Sequence, residues 1–126
     1  CDMVGHTGVL GAAKLAVEAV DESLGRLEVA IGRAGGALLV TADHGNCEQM
    51  LNESTGQPFT QHTLNDVPAI LVNAPDRLGS LLDGRLSDIA PTILDLLGLD
   101  QPKEMTGKSL LGPNEGSFDK HSVAAQ

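Results

Sequence analysis

Three short polar stretches of this sequence concentrate aspartate and histidine, the side chains that most often bind divalent cations. Asp2 and His6 stand four residues apart, Asp43 and His44 are adjacent, and His62 belongs to the third stretch. Together these stretches hold three of the four histidines of the chain. A donor set of carboxylates and imidazoles suits Mn²⁺ or Zn²⁺, whereas an all-oxygen set would suit Mg²⁺ or Ca²⁺. These five residues are therefore the candidate metal ligands.

Cations at such a site would give the protein a defined chemistry. Two metal ions about 3.5–4 Å apart can clamp the attacking and leaving oxygens of an in-line phosphoryl displacement. An acidic protein can therefore act on an anionic substrate through its metals. Each stretch alone has an ordinary alternative, because His6 could be a surface group near a helix start and Asp43 could cap the following turn. Their shared position at the ends of predicted elements favours a common metal site.

An amphipathic helix is predicted over residues 8–33, with Thr7 as its N-cap and Gly35 at its end. Apolar side chains recur at spacings of three and four and form one stripe, made of Leu10, Ala13, Val17, Val20, Leu24, Leu27 and Ile31. Interior glycines weaken such a helix by about 1 kcal/mol each, so packing must hold it. Ahead of this helix, Gly5 argues against a regular helical turn between Asp2 and His6.

Two continuous apolar runs, residues 37–42 and 67–72, predict strands that are buried on both faces, as in a parallel sheet. A second helix is predicted from Ser87 to about Leu97. The order helix, strand, strand, helix predicts an α/β fold with a parallel or mixed sheet. Asp43 directly follows the first strand, and the carboxyl end of a strand is where open α/β sheets bind ligands.

Composition excludes several classes of function. The net charge is −9 and only 2% of the residues are aromatic, which argues against nucleic acid as a partner. No apolar run reaches the roughly 20 residues that span a bilayer, which argues against a membrane partner. Cys1 and Cys47 do not form a disulfide framework, so reduced thiols in a cytoplasmic protein are the simpler reading.

Five strings of the sequence together resemble the cofactor-independent (2,3-bisphosphoglycerate-independent) phosphoglycerate mutases. They are CDMVGHTG, TADHGN, TQHT, APTILDLLG and MTGKSL, and they occur in this order over residues 1–111. DMVGHTG and TADHGN are the distinctive strings. ADHG alone would indicate only the wider alkaline phosphatase superfamily.

The resemblance implies a partial alkaline-phosphatase-like three-layer α/β/α sandwich with a mostly parallel sheet. Residues 1–111 would be the C-terminal portion of the metal-binding phosphatase domain, and residues 112–126 an irregular or disordered tail. It implies an isomerase of glycolysis and gluconeogenesis that interconverts 3-phosphoglycerate and 2-phosphoglycerate through a phosphoserine at a two-manganese site. Asp2, His6 and His62 would hold one Mn²⁺, and Asp43 and His44 would supply part of the second site. The complete enzyme would be a cytoplasmic monomer.

Two departures from the family pattern bear on catalysis. No serine of the chain stands in the context of the family nucleophile, so we expect that serine upstream and no catalytic residue among these 126. We accordingly expect the isolated chain to be inactive. Phe59 occupies a position where many relatives have a histidine, so His62 is the one ligand assigned in its stretch.

Other functions are compatible with the same residues. A phosphopentomutase or a metal-dependent phosphatase of the alkaline phosphatase superfamily would use a similar metal cluster on a different substrate. A non-catalytic remnant could instead bind a partner through an exposed sheet edge. An upstream serine followed by a long inserted substrate domain would indicate the mutase, and a start codon close to Cys1 would indicate the remnant.

Overall fold

The computed structural model describes residues 1–75 and 80–112. The chain divides into two compact units, Cys1–Asn73 and Ala74–Gln126. The helices and strands are α1 (Asp2–Gly5), α2 (Leu10–Arg33), β1 (Leu38–Val40), β2 (Ile70–Val72), a 3-10 turn (Leu86–Asp88) and α3 (Ile89–Leu97). Apart from Gly112, the predicted tail lies outside the described residues.

The long helix predicted near the start is confirmed as α2 in the first unit. Its N-cap is Val9 rather than the predicted Thr7. The Thr7 hydroxyl instead accepts the N–H of Val9 at 3.2 Å and donates to the carbonyl of Val4 at 2.6 Å, so it links α1 to the start of α2. Gly35 follows the helix with φ of +69°, the left-handed conformation that commonly ends helices.

Helix α2 packs less of its apolar stripe than the sequence predicts. Ala13 is 2% exposed, whereas Leu10 is 55% exposed and Leu27 is 50% exposed. Leu15 and Val29, which do not belong to the predicted stripe, are exposed as well. The helix therefore presents apolar surface on two sides. Within residues 1–75 and 80–112, no helix combines the length and hydropathy needed to cross a bilayer.

The two predicted strands pair with each other, but they run antiparallel. Leu38 lies opposite Val72, and Val40 lies opposite Ile70. The apolar runs are typical of parallel strands, so this pair differs from that expectation, although a mixed sheet also contains antiparallel pairs. The connection explains the direction. Parallel neighbours need a crossover connection, which is usually a helix. Residues 41–69, which connect the two strands, contain no helix.

The predicted burial of both strand faces is also not observed. β1 is half-buried along its length, and Ile70 at the start of β2 is 52% exposed. Burial on both faces requires a packed layer above and below the sheet. The residues that the structure describes cover these two strands only in part.

In the second unit, the predicted helix from Ser87 is confirmed as the 3-10 turn followed by α3, and Gly98 closes it with φ of +68°. Thr92 is fully buried in this unit. Its hydroxyl donates to the carbonyl of Asp88 at 2.6 Å and accepts the N–H of Leu110 at 2.9 Å. The start of α3 is thereby fixed to the segment that ends at Leu110.

The Asp88 carboxylate makes a second connection within this unit, and we expect it to be sensitive to acid. It accepts the backbone N–H of Lys108 at 2.9 Å and that of Arg85 at 2.8 Å, and these bonds lower the pKa of Asp88 below its ordinary value of 3.8. A carboxyl group with a depressed folded-state pKa contributes stability above its unfolded pKa, and this contribution is lost as the pH falls through the folded value.

An amide ¹H–¹⁵N titration measures this effect. The resonances of Arg85 and Lys108 should shift together with a midpoint below 3.8. Asp88→Asn should abolish the shared transition, and Asp95→Asn, which alters an exposed carboxyl on α3, should leave it in place. A shared midpoint at or above 3.8 would contradict the assignment.

Candidate metal centre

Helix α1 is a single turn that begins at Asp2 and has His6 as its C-cap, and the two side chains lie on the same side. The expectation that Gly5 would prevent such a turn is wrong, because the Gly5 N–H donates to the carbonyl of Cys1 at 2.8 Å and the His6 N–H donates to that of Asp2 at 3.2 Å. Gly5 is buried, and a Cβ there would collide with the side chain of Asn46. Glycine at this position therefore allows the turn to approach the loop after β1.

Three of the predicted ligands converge in the first unit. One donor atom from each of Asp2, His6 and His62 lies within 4.8 Å of the other two, and all three residues are exposed. Asp2 Oδ1 is 2.9 Å from His62 Nε2 and 3.3 Å from His6 Nε2. The two imidazole nitrogens are 3.1 Å apart. One carboxylate oxygen and two imidazoles form a donor set that fits a borderline divalent cation.

His44 and Asp43 lie beside this three-residue cluster. His44 Nε2 is 3.9 Å from Asp2 Oδ1 and 3.6 Å from Asp43 Oδ1. The His44 ring stacks on that of His62, with ring centroids 3.6 Å apart. The Asp43 side chain is 90% exposed. The structure thus brings all five predicted residues to one place, with Asp43 on the side open to solvent.

Backbone carbonyls orient two of the imidazoles. His6 Nδ1 lies 2.7 Å from the carbonyl oxygen of Thr60, and His44 Nδ1 lies 3.3 Å from that of Gly45. A carbonyl can only accept, so Nδ1 of each ring carries the hydrogen. Nε2 is then left with the lone pair that a cation would bind.

The Asp2 carboxylate is held in its ionised form. Partial desolvation raises the pKa of Asp2, whereas hydrogen bonds with His62 and Asn46 lower it, and on balance the pKa lies below its ordinary value of 3.8. The Asn46 amide, in a residue that is 7% exposed, donates to Asp2 Oδ1 at 3.0 Å. Cations bind the deprotonated carboxylate, so this environment favours binding.

A second hydrogen-bonded group holds the loop after β1 against the segment that carries His62. The Thr63 N–H donates to the carbonyl of Gly45 at 2.9 Å. The Glu48 carboxylate accepts the Thr63 hydroxyl, the Asn65 amide and the backbone N–H of Asn46. The Thr63 hydroxyl in particular lowers the pKa of Glu48, although desolvation opposes it. Sequence reasoning missed Glu48, since an isolated glutamate among 17 acidic residues gives no signal.

Comparison with known proteins defines the class first. The profile of the Metalloenzyme superfamily matches residues 1–101 of the chain. The chain therefore belongs to the metalloenzyme superfamily, in agreement with the cluster of carboxylate and imidazole donors.

Similar proteins then narrow the class. The chain is 62% identical over 110 residues to the 2,3-bisphosphoglycerate-independent phosphoglycerate mutase of Roseobacter denitrificans. This match covers 87% of this chain and 22% of that protein. It is 62% identical over 111 residues to the enzyme of the same name from Rhodopseudomonas palustris, with 88% and 21% covered. The predicted resemblance to this mutase family is confirmed, and the chain spans about a fifth of the length of these relatives.

A solved structure gives the same result for the fold. A crystal structure of Leishmania mexicana phosphoglycerate mutase at low cobalt concentration superimposes with a TM-score of 0.75 at 35% sequence identity. The match covers 89% of this chain and 23% of that one. The α/β arrangement is therefore shared with a phosphoglycerate mutase.

Proposed function

We propose that this chain is part of an isomerase that interconverts 3-phosphoglycerate and 2-phosphoglycerate in glycolysis and gluconeogenesis. The observation that carries the proposal is the convergence of Asp2, His6 and His62 in a chain 62% identical to cofactor-independent phosphoglycerate mutases. This identity also favours the mutase over the phosphopentomutase and phosphatase alternatives. In the complete enzyme the phosphoryl group would pass through a phosphoserine whose serine lies outside these residues.

The proposed metals are two Mn²⁺ ions. Asp2, His6 and His62 would hold one of them, and Asp43 and His44 would contribute to the other. When bound, such ions supply charge neutralisation for the phosphoryl group. The part played by this chain is to keep one carboxylate ionised, to orient the imidazoles through backbone carbonyls and to keep the two ligand groups side by side.

The finer architecture belongs to the same proposal. We infer a three-layer α/β/α sandwich with a mostly parallel sheet in the complete domain, to which residues 1–111 contribute. The antiparallel pair of β1 and β2 is compatible with it, because many parallel sheets carry an antiparallel edge strand. Apolar surface on two sides of α2 suits a helix packed within such layers. The complete enzyme would be a cytoplasmic monomer without a nucleic-acid or membrane partner.

Cation binding by the chain tests the proposal directly. Titration with Mn²⁺, followed through the electron paramagnetic resonance signal of the free ion, should show one preferred site, because the cluster of Asp2, His6 and His62 supplies three converging donors. The resonances of these two histidines should broaden first in a parallel NMR titration. Weak binding of many ions without selective broadening would contradict the proposal, since it would indicate only the acidic surface.

A further inference from the structure

The three segments that carry the candidate ligands are joined by one chain of hydrogen bonds. Asp2 Oδ1 accepts the side-chain amide of Asn46 at 3.0 Å. The backbone N–H of Asn46 donates to Glu48 Oε2, and the hydroxyl of Thr63, the residue after His62, donates to Glu48 Oε1. Glu48 is thus the link between the loop after β1 and the segment of His62.

The surroundings of Glu48, which is itself exposed, favour an ionised carboxylate. The three groups that contact its two oxygens act as donors: a backbone N–H from Asn46, a hydroxyl from Thr63 and a side-chain amide from Asn65. A carboxylate only accepts hydrogen bonds, whereas a glutamine would turn an NH₂ group toward one of these donors. Glu48 contributes no atom to the three-donor cluster itself.

The two segments that Glu48 joins are in direct contact, which leaves little freedom between them. Gly45 is buried and pairs with Thr63. A Cβ at Gly45 would overlap both the Thr63 hydroxyl and the Glu48 carboxylate. The positions of His44 and His62, which stack on each other, are therefore set by the same contact.

We propose that Glu48 is a positioning residue of the metal centre, which fixes the His44 loop against His62 and thereby sets the affinity for the cation without touching it. This inference rests on the proposed function, because it concerns the same site. Groups that hydrogen-bond to metal ligands typically change affinity by roughly 10- to 100-fold when they are removed, and we expect the lower end for Glu48, which acts through Asn46 and Thr63. The donor atoms around Asp2 are only 2.9–3.3 Å apart, so a small displacement of His62 separates them.

Glu48→Gln tests the inference, with Glu53→Gln as the matched control. Both variants remove one negative charge, but Glu53 is an exposed residue of a turn and takes no part in the hydrogen bonds around Glu48. We expect Mn²⁺ affinity, measured by isothermal titration calorimetry on the full chain, to fall by roughly tenfold in Glu48→Gln and to stay unchanged in Glu53→Gln. Thermal unfolding of both metal-free variants should show that each is folded at the temperature of the titration, so that a lower affinity reflects positioning and not unfolding.

A readout without metal provides a second measurement. Stacking of His44 on His62 gives their ring protons characteristic chemical shifts, which should move in metal-free Glu48→Gln and not in Glu53→Gln. Thr63→Val removes the hydroxyl that donates to Glu48 and should lower the Mn²⁺ affinity as Glu48→Gln does. Thr63→Ser retains a hydroxyl and should keep the affinity of the unmodified chain. In the double variant Glu48→Gln with Thr63→Val the losses should not add, because both remove the same link.

The outcomes separate the two proposals. Absence of a selective Mn²⁺ site in the unmodified chain would overturn the proposed function. Selective binding by the unmodified chain, with the same affinity and histidine shifts in Glu48→Gln, would overturn the positioning role alone. If Glu48→Gln fails to fold, Thr63→Val and Thr63→Ser decide, and equal affinity in these two variants would likewise overturn the role.

Discussion

Replacing Asp2 with alanine is expected to lower the Mn²⁺ affinity of the chain by at least about 100-fold, the upper end of what residues around a metal site contribute. Asp2 Oδ1 is the atom on which the cluster centres, at 2.9 Å from His62 Nε2 and 3.3 Å from His6 Nε2. It is also the one anionic donor of the three-residue group. Without it, two neutral imidazoles remain, and the electrostatic attraction for a dication is lost. Isothermal titration calorimetry at constant pH measures the change.

Asp21→Ala is the matched control for this experiment. Asp21 is an exposed residue of α2, so its removal changes the net charge equally and takes no donor from the cluster. Its affinity should match that of the unmodified chain. Equal losses in Asp2→Ala and Asp21→Ala would show that the cation responds to the overall negative charge, and the assignment of the cluster would then be wrong.

Gly107→Ala is expected to destabilise the second unit by about 1–3 kcal/mol, the usual effect of overpacking. A Cβ at Gly107 would overlap the backbone carbonyl of Ser87 and lie 3.0 Å from Asp88 Oδ1. Backbone atoms cannot rotate away from the added methyl group. The backbone N–H groups of Arg85 and Lys108 donate hydrogen bonds to the Asp88 carboxylate, which further restricts movement of this backbone.

Urea denaturation followed by amide resonances of α3 measures the effect of Gly107→Ala, and resonances of α2 report the first unit in the same way. Gly11→Ala provides the same substitution in open space, where a Cβ meets no described atom within 4 Å. Gly11 lies in α2, so alanine there should stabilise the first unit by up to about 1 kcal/mol. The expected result is a lower free energy of unfolding of the second unit in Gly107→Ala and a higher free energy of unfolding of the first unit in Gly11→Ala. An unchanged transition in Gly107→Ala would show that the Ser87 contact yields easily.

The two longer helices, α2 and α3, could be predicted because local signals determine them, and residue types indicated the candidate ligands. The apolar repeat and Gly35 fixed the extent of α2, and the residue types of Asp2, His6 and His62 pointed to a cation. Strand direction could not be predicted in the same way. A short apolar run such as residues 37–42 fits a parallel or an antiparallel neighbour equally well, and the connection between the strands decides.

The supporting groups of the site were out of reach of sequence reasoning for another reason. Asn46 and Glu48 have no unusual spacing, and their roles depend on partners far away in the chain, such as Asp2 and Thr63. A helical turn at Gly5 was not expected, because glycine is disfavoured in helices by about 1 kcal/mol. In the structure, the absence of a side chain at Gly5 leaves room for the side chain of Asn46. Tertiary contacts override local preference at such positions.

Asp2 and His62 contact each other across 60 residues of sequence. A cation held by both side chains would close a loop of that length, so it would bind the folded first unit and scarcely the unfolded chain. Each such ion contributes RT ln(1 + [L]/Kd) to folding, about 2.7 kcal/mol when its concentration is 100 times Kd. Folding of this unit and its loading with metal would then be linked, and a chelator would lower the stability of the unit by the same amount.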